Sequence, residues 1–305
     1  MAKSRSTRQL WRQTESGLIL PTGRLTDSTD ASSETYLKIK QKALGVEKLY
    51  ADSQVPLPDN CDLALLIAEA KSLSDLWLMG QKIEDPHLFN AAHLKRIAKA
   101  ILPLRSVGNR ARYLTALTSG SLSLRDRELS TAKDVLWEIE LWETLLRHGF
   151  TAELAEPPDI VISFEGTLVG IACKKFYSEK HVQNVLSKAV DQIESSFNFG
   201  IIAANLDDLW TYEDAQTYEN IETAGKAIEA FNERFLASHK RHFRKYLAPG
   251  RAIAALVSTD ILAEIKHGRA RINNASQMTV WTIPGLEAEK EKQLRRFYEQ
   301  LMNKG

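Results

Sequence analysis

The chain has few cysteines, no long apolar run and no excess of one charge sign. Only two of its 305 residues are cysteines, Cys61 and Cys173, and they form no CxxC pair. We expect both to be buried, reduced thiols, which argues against a disulfide scaffold or a cysteine-based zinc site. No apolar run approaches the roughly 20 residues of a membrane-spanning helix, so we expect no membrane partner.

Charge and motif content exclude further classes of protein. Lys and Arg number 40 against 39 Asp and Glu, a net charge of +1, so any nucleic-acid site must be a local patch. The N-terminal MAKSRSTRQLWRQ has positive charges without an apolar stretch behind them. A secretory signal is therefore not expected, and the predicted location is cytoplasmic. The motifs GxSxG, HExxH and GxGxxG are absent.

Composition and periodicity divide the chain into three parts. Residues 1–35 are predicted to be a basic arm and polar linker, because four basic residues precede the first acid and 26–34 lack core-forming residues. Residues 36–125 are predicted to be a helical N-terminal domain, because apolar residues recur at helical spacing. Residues 126–305 alternate helices and strands, which predicts an α/β domain with a mixed central sheet flanked by helices.

The third part contains a predicted β-hairpin with candidate site residues at its open end. Strands are predicted at 159–164 and 168–174, with Glu165-Gly166 as the turn. Side chains alternate along a strand, so Ala172 and Lys174 should share a face. If residue 172 were Glu, two carboxylates and a lysine would converge there, an arrangement able to hold a divalent ion beside a phosphate.

Residues 137–207 resemble the PD-(D/E)XK nuclease superfamily, which has the restriction-endonuclease-like fold. Glu138 matches the helix glutamate of that family, and Asp159 matches the aspartate of its PD motif. Lys174 matches the motif lysine, and Gln192 matches a glutamine of the following helix. The resemblance implies these four as catalytic residues of a DNA endonuclease that uses Mg²⁺ or Mn²⁺.

The metal ligands that the resemblance implies are Asp159, Glu138 and the backbone carbonyl of Cys173. Ala172 occupies the position of the second motif acid, which would be a further ligand if it were Glu. Two explanations compete, an engineered inactivating substitution and natural degeneration into a pseudo-nuclease. The first is favoured because the other site residues are all present. Either way, the chain as it stands is expected to be almost inactive.

A basic run at 234–251 is the candidate nucleic-acid surface. Arg241, Arg244 and Lys245 share a helical face and are predicted to bind DNA phosphates, together with Lys175 and Lys188. The alternative is an ordinary solvated helix face. Segment 207–222 has six acids and no Lys or Arg, and is expected to face away from DNA.

The resulting functional hypothesis is a Mg²⁺-dependent DNA endonuclease fold, with bacterial restriction or antiphage defence as the role that the resemblance implies. The helical N-terminal domain would dock a protein partner, and a homo-oligomer is compatible with the sequence. One alternative is a natural pseudo-nuclease that serves as the DNA-binding subunit of a larger complex. Another is a protein-interaction module dominated by the helical half.

Overall fold

A computed structural model describes residues 11–13, 19–21, 36–81, 85–194, 197, 199–211, 216–248, 252–266 and 272–302. Its helices are α1 (Tyr36–Asp52), α2 (Asp62–Leu78), α3 (Asp85–Ile101), α4 (Arg110–Leu117), α5 (Thr131–Arg147), α6 (Val182–Glu194), α7 (Ile221–Leu247) and α8 (Ala288–Met302). Its strands are β1 (Trp11–Gln13), β2 (Ile19–Pro21), β3 (Thr151–Leu154), β4 (Ile160–Phe164), β5 (Thr167–Lys175), β6 (Gly200–Asn205), β7 (Thr217–Tyr218), β8 (Ala252–Ile265) and β9 (Ile272–Trp281).

The main sheet is mixed, as the sequence predicts. Its order is β3-β4-β5-β6-β8-β7, with β9 pairing with β8 as well. Neighbours β3, β4 and β5 pair antiparallel, whereas β5, β6 and β8 run parallel. Helices α6 and α7 make the crossovers that parallel neighbours require. The α/β class and the mixed sheet are therefore confirmed.

Local signals explain the helix and hairpin that carry the candidate site. The Ser130 side chain accepts a hydrogen bond from the Lys133 backbone N–H and caps the start of α5. Gly149 follows the helix at a φ of 76°, the left-handed conformation that ends many helices. At the hairpin turn, Glu165 and Gly166 have φ values of 48° and 77°, and positive φ at both central positions matches the strand twist.

The helical region and the sheet share one apolar core. Ala43 of α1 and Leu94 of α3 belong to the same buried cluster as Ile139 of α5 and Ile171 of β5. The predicted helical character of 36–125 is confirmed, while a domain boundary at residue 125 stays a prediction. In the predicted arm, β1 and β2 pair antiparallel, and the rest of 1–35 lies outside the described residues. None of the described helices is long and apolar enough for a membrane span.

Candidate active site

Asp159 and Lys174 meet at the open end of the β4–β5 hairpin. Asp159 immediately precedes β4, and its Oδ2 accepts a hydrogen bond of 2.6 Å from the backbone N–H of Cys173. The Lys174 ammonium lies 3.3 Å from the same carboxylate oxygen and donates to the Cys173 carbonyl at 2.8 Å. A positive charge therefore contacts both a carboxylate oxygen and a backbone carbonyl oxygen.

Glu138 of α5 joins this pair electrostatically. Burial, reinforced by the negative charge of Asp159 and opposed by the positive charge of Lys174, raises the pKa of its carboxyl to about 8. These influences require the three groups to be close together. The structure thus brings together Glu138 of α5, Asp159 just before β4 and Lys174 of β5.

Asp134 and Tyr177 adjoin the cluster, and the sequence reasoning missed both. Asp134 lies one helical turn before Glu138 on α5, and burial raises the pKa of its carboxyl. The Tyr177 hydroxyl donates to Asp134 Oδ1 at 2.9 Å, which ties the segment after β5 to the start of α5. The four-residue spacing of Asp134 and Glu138 was the available signal, because such pairs share a helix face.

Position 172 corrects one expectation of the sequence analysis. The motif position of a metal ligand is expected to line an open site, but Ala172 is fully buried and packs in an apolar cluster with Phe176, Leu186 and Ile202. The reason is that α6 covers this face of β5, so the Cβ of residue 172 lies beneath a helix. A glutamate at 172 would start inside an apolar layer.

Lys175 is a second correction, because it is not available to bind DNA. Its side chain is 5% exposed, and its ammonium contacts Asn205 Oδ1 at 2.6 Å and Asp208 Oδ2 at 2.8 Å. Alternation along β5 turns Lys175 to the face opposite Lys174 and brings it to these polar partners. Its positive charge is therefore neutralised inside the protein.

The remaining predicted site residues lie on the helices α6 and α7. Gln192 is half-buried, and its Oε1 has no hydrogen-bonding partner in the described part of the chain. Lys188 is exposed on the same helix, as are Arg241, Arg244 and Lys245 on α7. Within the described ranges, no hydrogen bond or ion pair joins these residues to the Asp159–Lys174 pair.

A buried ion network connects the helical region to the sheet beside this site. Its members are Arg96 of α3, Lys133 and Glu140 of α5, Lys175 of β5, Asp207 and Asp208 after β6, and Asp260 of β8. Arg96 binds Glu140 at 2.6 Å and Asp207 at 2.6 Å, and Lys133 binds Asp208 at 2.6 Å. The acidic segment 207–222, predicted to face away from DNA, therefore begins with two acids that are buried and ion-paired.

His93 lies beside this network and should give the protein a pH-dependent stability. Burial, reinforced by the positive charge of Arg96, lowers its pKa to about 4. An unfolded histidine titrates near 6.5, so the unfolded chain binds the proton more tightly than the folded one. The contribution of neutral His93 to the free energy of unfolding is fully present above pH 6.5. It falls by about 3 kcal/mol as the pH drops to 4.

The variant His93→Gln should lose less free energy of unfolding between pH 6.5 and pH 4 than the unmodified protein, because glutamine does not titrate. Its amide can still donate to the Leu122 carbonyl, which the His93 Nε2 contacts at 2.8 Å. Chemical denaturation at pH 7 and pH 4 measures the difference, with exposed His181→Gln as the control. Equal pH dependence in all three proteins would show that His93 keeps an ordinary pKa.

Comparisons with known proteins give no family for this chain. Searches against protein-family models, curated proteins and solved structures found no match. Among the residues that the structure describes, no three His, Cys, Asp or Glu side chains are grouped to hold one metal ion. The functional argument therefore depends on the geometry around Asp159 and Lys174.

Proposed function

We propose that the chain is a metal-dependent phosphodiester hydrolase acting on nucleic acid, with Glu138, Asp159 and Lys174 as its site. The observation that carries the proposal is the Lys174 ammonium, 3.3 Å from Asp159 Oδ2 and 2.8 Å from the Cys173 carbonyl. The order of α5, the β4–β5 hairpin, α6 and β6 agrees with the order implied by the PD-(D/E)XK resemblance. A restriction-endonuclease-like fold is part of this proposal.

The donors at this site suit a hard divalent cation. Asp159 Oδ2 and the Cys173 carbonyl are oxygen ligands of the type that Mg²⁺ and Mn²⁺ prefer. The Lys174 ammonium stands in for a cation, because it already contacts both oxygens. Glu138 would supply the second carboxylate, and a nearby cation would favour its ionised form. When bound, the ion would stabilise charge on a phosphate and acidify a bound water.

The protein's own groups have distinct parts in this proposal. The Cys173 N–H fixes the orientation of Asp159, so its carboxylate is preorganised at the hairpin edge. Lys174 is 18% exposed and can turn from Asp159 towards a phosphate oxygen, where its charge would stabilise the transition state. Tyr177 and Asp134 hold the end of β5 against α5, and with it Lys174 near Glu138.

A second candidate is a nucleic-acid-binding subunit that does not cleave. The observation that favours it is the apolar packing around Ala172, which leaves β5 without a carboxylate beside Lys174. In this alternative the hairpin cluster is a structural remnant, and binding through the surface cations is retained. Cleavage separates the two candidates.

Cleavage of nucleic acid with Mg²⁺ or Mn²⁺ tests the hydrolase proposal directly. We expect slow cleavage of at least one substrate among supercoiled DNA, linear duplex, single-stranded DNA and RNA, and none in EDTA. Asp159→Asn and Lys174→Met should each reduce the rate by about 100-fold or more, because each removes charge that acts in the transition state. Asp191→Asn, an exposed acid on α6, is the matched control and should leave the rate unchanged. Cleavage that survives both site variants would reject the proposed site.

A further inference from the structure

Five cations form an exposed surface on the second half of α7, which we call the basic α7 face. They are Arg234, Lys240, Arg241, Arg244 and Lys245, and all are exposed. None of the five has an acidic partner among the residues that the structure describes. The Lys245 ammonium lies 5.1 Å from the centroid of the Tyr246 ring. Charges left unpaired over about three helical turns are available to an anionic partner.

The spacing of these cations suits a phosphate backbone. Arg234, Arg241 and Lys245 are seven and four residues apart, so they form a row along the helix. The row advances about 16 Å, at roughly 1.5 Å per residue. One strand of DNA places a charge about every 3.4 Å along the duplex axis, so this length corresponds to about five phosphates. The number of cations on the face matches this number of phosphates.

No aromatic side chain on the described second half of α7 is fully exposed, and the Tyr246 ring is half-buried against the layer beneath the helix. The other exposed residues between 234 and 248 are the small side chains Ala237, Ser238 and Ala248. The aromatic residues Phe235 and Phe243 are buried in the layer between α7 and the sheet. Proteins that hold single strands combine cations with exposed aromatic rings, whereas a duplex is held through its phosphates alone.

Direct contacts connect this part of α7 to the candidate active site. The Phe235 ring packs on Phe176, two residues after Lys174, with ring centroids 5.3 Å apart. His239 Nε2 lies 2.8 Å from Glu179 Oε2, in the same segment after β5. Both contacts come from the side of α7 that faces the sheet, so they place the helix beside the end of the strand that carries Lys174, while the basic α7 face lies on the outer side of the helix.

We propose that the basic α7 face binds the phosphate backbone of a nucleic-acid duplex without reading its sequence. The proposal deepens the proposed function, on which it rests for the nature of the substrate. It names the substrate class as double-stranded nucleic acid. Duplex DNA and duplex RNA present the same phosphate charge, so the experiment includes both.

The test is equilibrium binding of labelled duplexes in EDTA, where no metal-dependent cleavage occurs. Probes are a DNA duplex, an RNA duplex and the single strands of each, over a series of salt concentrations. For five phosphate contacts, affinity should fall about 500-fold between 50 and 200 mM salt. The triple variant Arg241→Gln, Arg244→Gln, Lys245→Gln should keep two contacts and fall only about 10-fold.

A second triple variant controls for net charge. Lys48→Gln, Lys226→Gln and Lys292→Gln remove three exposed cations that are each ion-paired, from α1, the first half of α7, and α8. It should bind like the unmodified protein, because its cations lie off the basic α7 face. Circular dichroism and melting temperature should show all three proteins folded.

The outcomes separate this proposal from the hydrolase proposal. The proposal is supported if the first triple variant weakens duplex binding and the control variant does not. This holds whether the DNA duplex or the RNA duplex binds more tightly. Tighter binding to single strands than to duplexes overturns it, as does an unchanged salt dependence in the first variant. If the unmodified protein does not cleave but the first triple variant weakens its duplex binding, only the hydrolase proposal is rejected. If the unmodified protein cleaves and the first triple variant binds duplexes equally well, only the proposal for the basic α7 face is rejected.

Discussion

Replacing Arg96 with methionine is expected to lower the free energy of unfolding by about 3–5 kcal/mol. The Arg96 side chain is 7% exposed and binds Glu140 through two nitrogens, at 2.6 and 2.8 Å. It also binds Asp207 at 2.6 Å and lies 3.9 Å from Asp260. Without the guanidinium, these buried carboxylates lose their main counter-charge, and a buried charge without a partner is strongly destabilising.

Chemical denaturation at pH 7 measures this loss. Arg105→Met is the control, because Arg105 is exposed and, among the described residues, donates only to the Leu102 carbonyl. The double variant Arg96→Met, Glu140→Gln removes one of the stranded charges. Its destabilisation should be smaller than the sum of the two single losses, because the pair interacts directly. A loss below about 1 kcal/mol for Arg96→Met would show that the carboxylates find other compensation.

The parts of this fold that could be predicted from sequence depend on neighbouring residues. The β4–β5 hairpin follows from Glu165-Gly166 between two β-rich runs, and the positive φ values at both residues confirm the reason. The limits of α5 follow from Ser130 as its cap and Gly149 after its end. The meeting of Asp159 with Lys174 follows in turn, because the register pairs Ile160 with Ile171 and so brings Asp159 level with Ala172, two residues before Lys174.

The parts that could not be predicted depend on contacts between distant residues. Asp207 begins an acidic stretch without Lys or Arg of its own, yet it binds Arg96, 111 residues earlier. Asp208 binds Lys133, 75 residues earlier. The net charge of a segment does not reveal which lysine or arginine each of its acids will pair with. Ala172 was misplaced for a similar reason, because strand alternation gives its face but not the helix that covers that face.

Replacing Ala172 with glutamate is expected to destabilise the protein by at least about 4 kcal/mol. The residue is fully buried in the cluster formed with Phe176, Leu186 and Ile202, so the four additional heavy atoms of glutamate would overpack it. Overpacking of this kind costs about 1–3 kcal/mol, and an unpaired carboxyl in an apolar layer adds a further penalty. We therefore expect no gain of cleavage, although the PD-(D/E)XK motif would then be complete.

The matched control for this variant is Leu168→Glu, which adds the same carboxylate to the same strand at a position 58% exposed. It should leave the free energy of unfolding nearly unchanged, whereas Ala172→Val should show the overpacking cost alone. The difference between Ala172→Val and Ala172→Glu then measures the burial of the carboxyl. If the Ala172→Glu protein has the melting temperature of the unmodified protein and cleaves DNA with Mg²⁺, the new carboxylate must reach Lys174. In that case residue 172, and not Glu138, would be the second acid of the site.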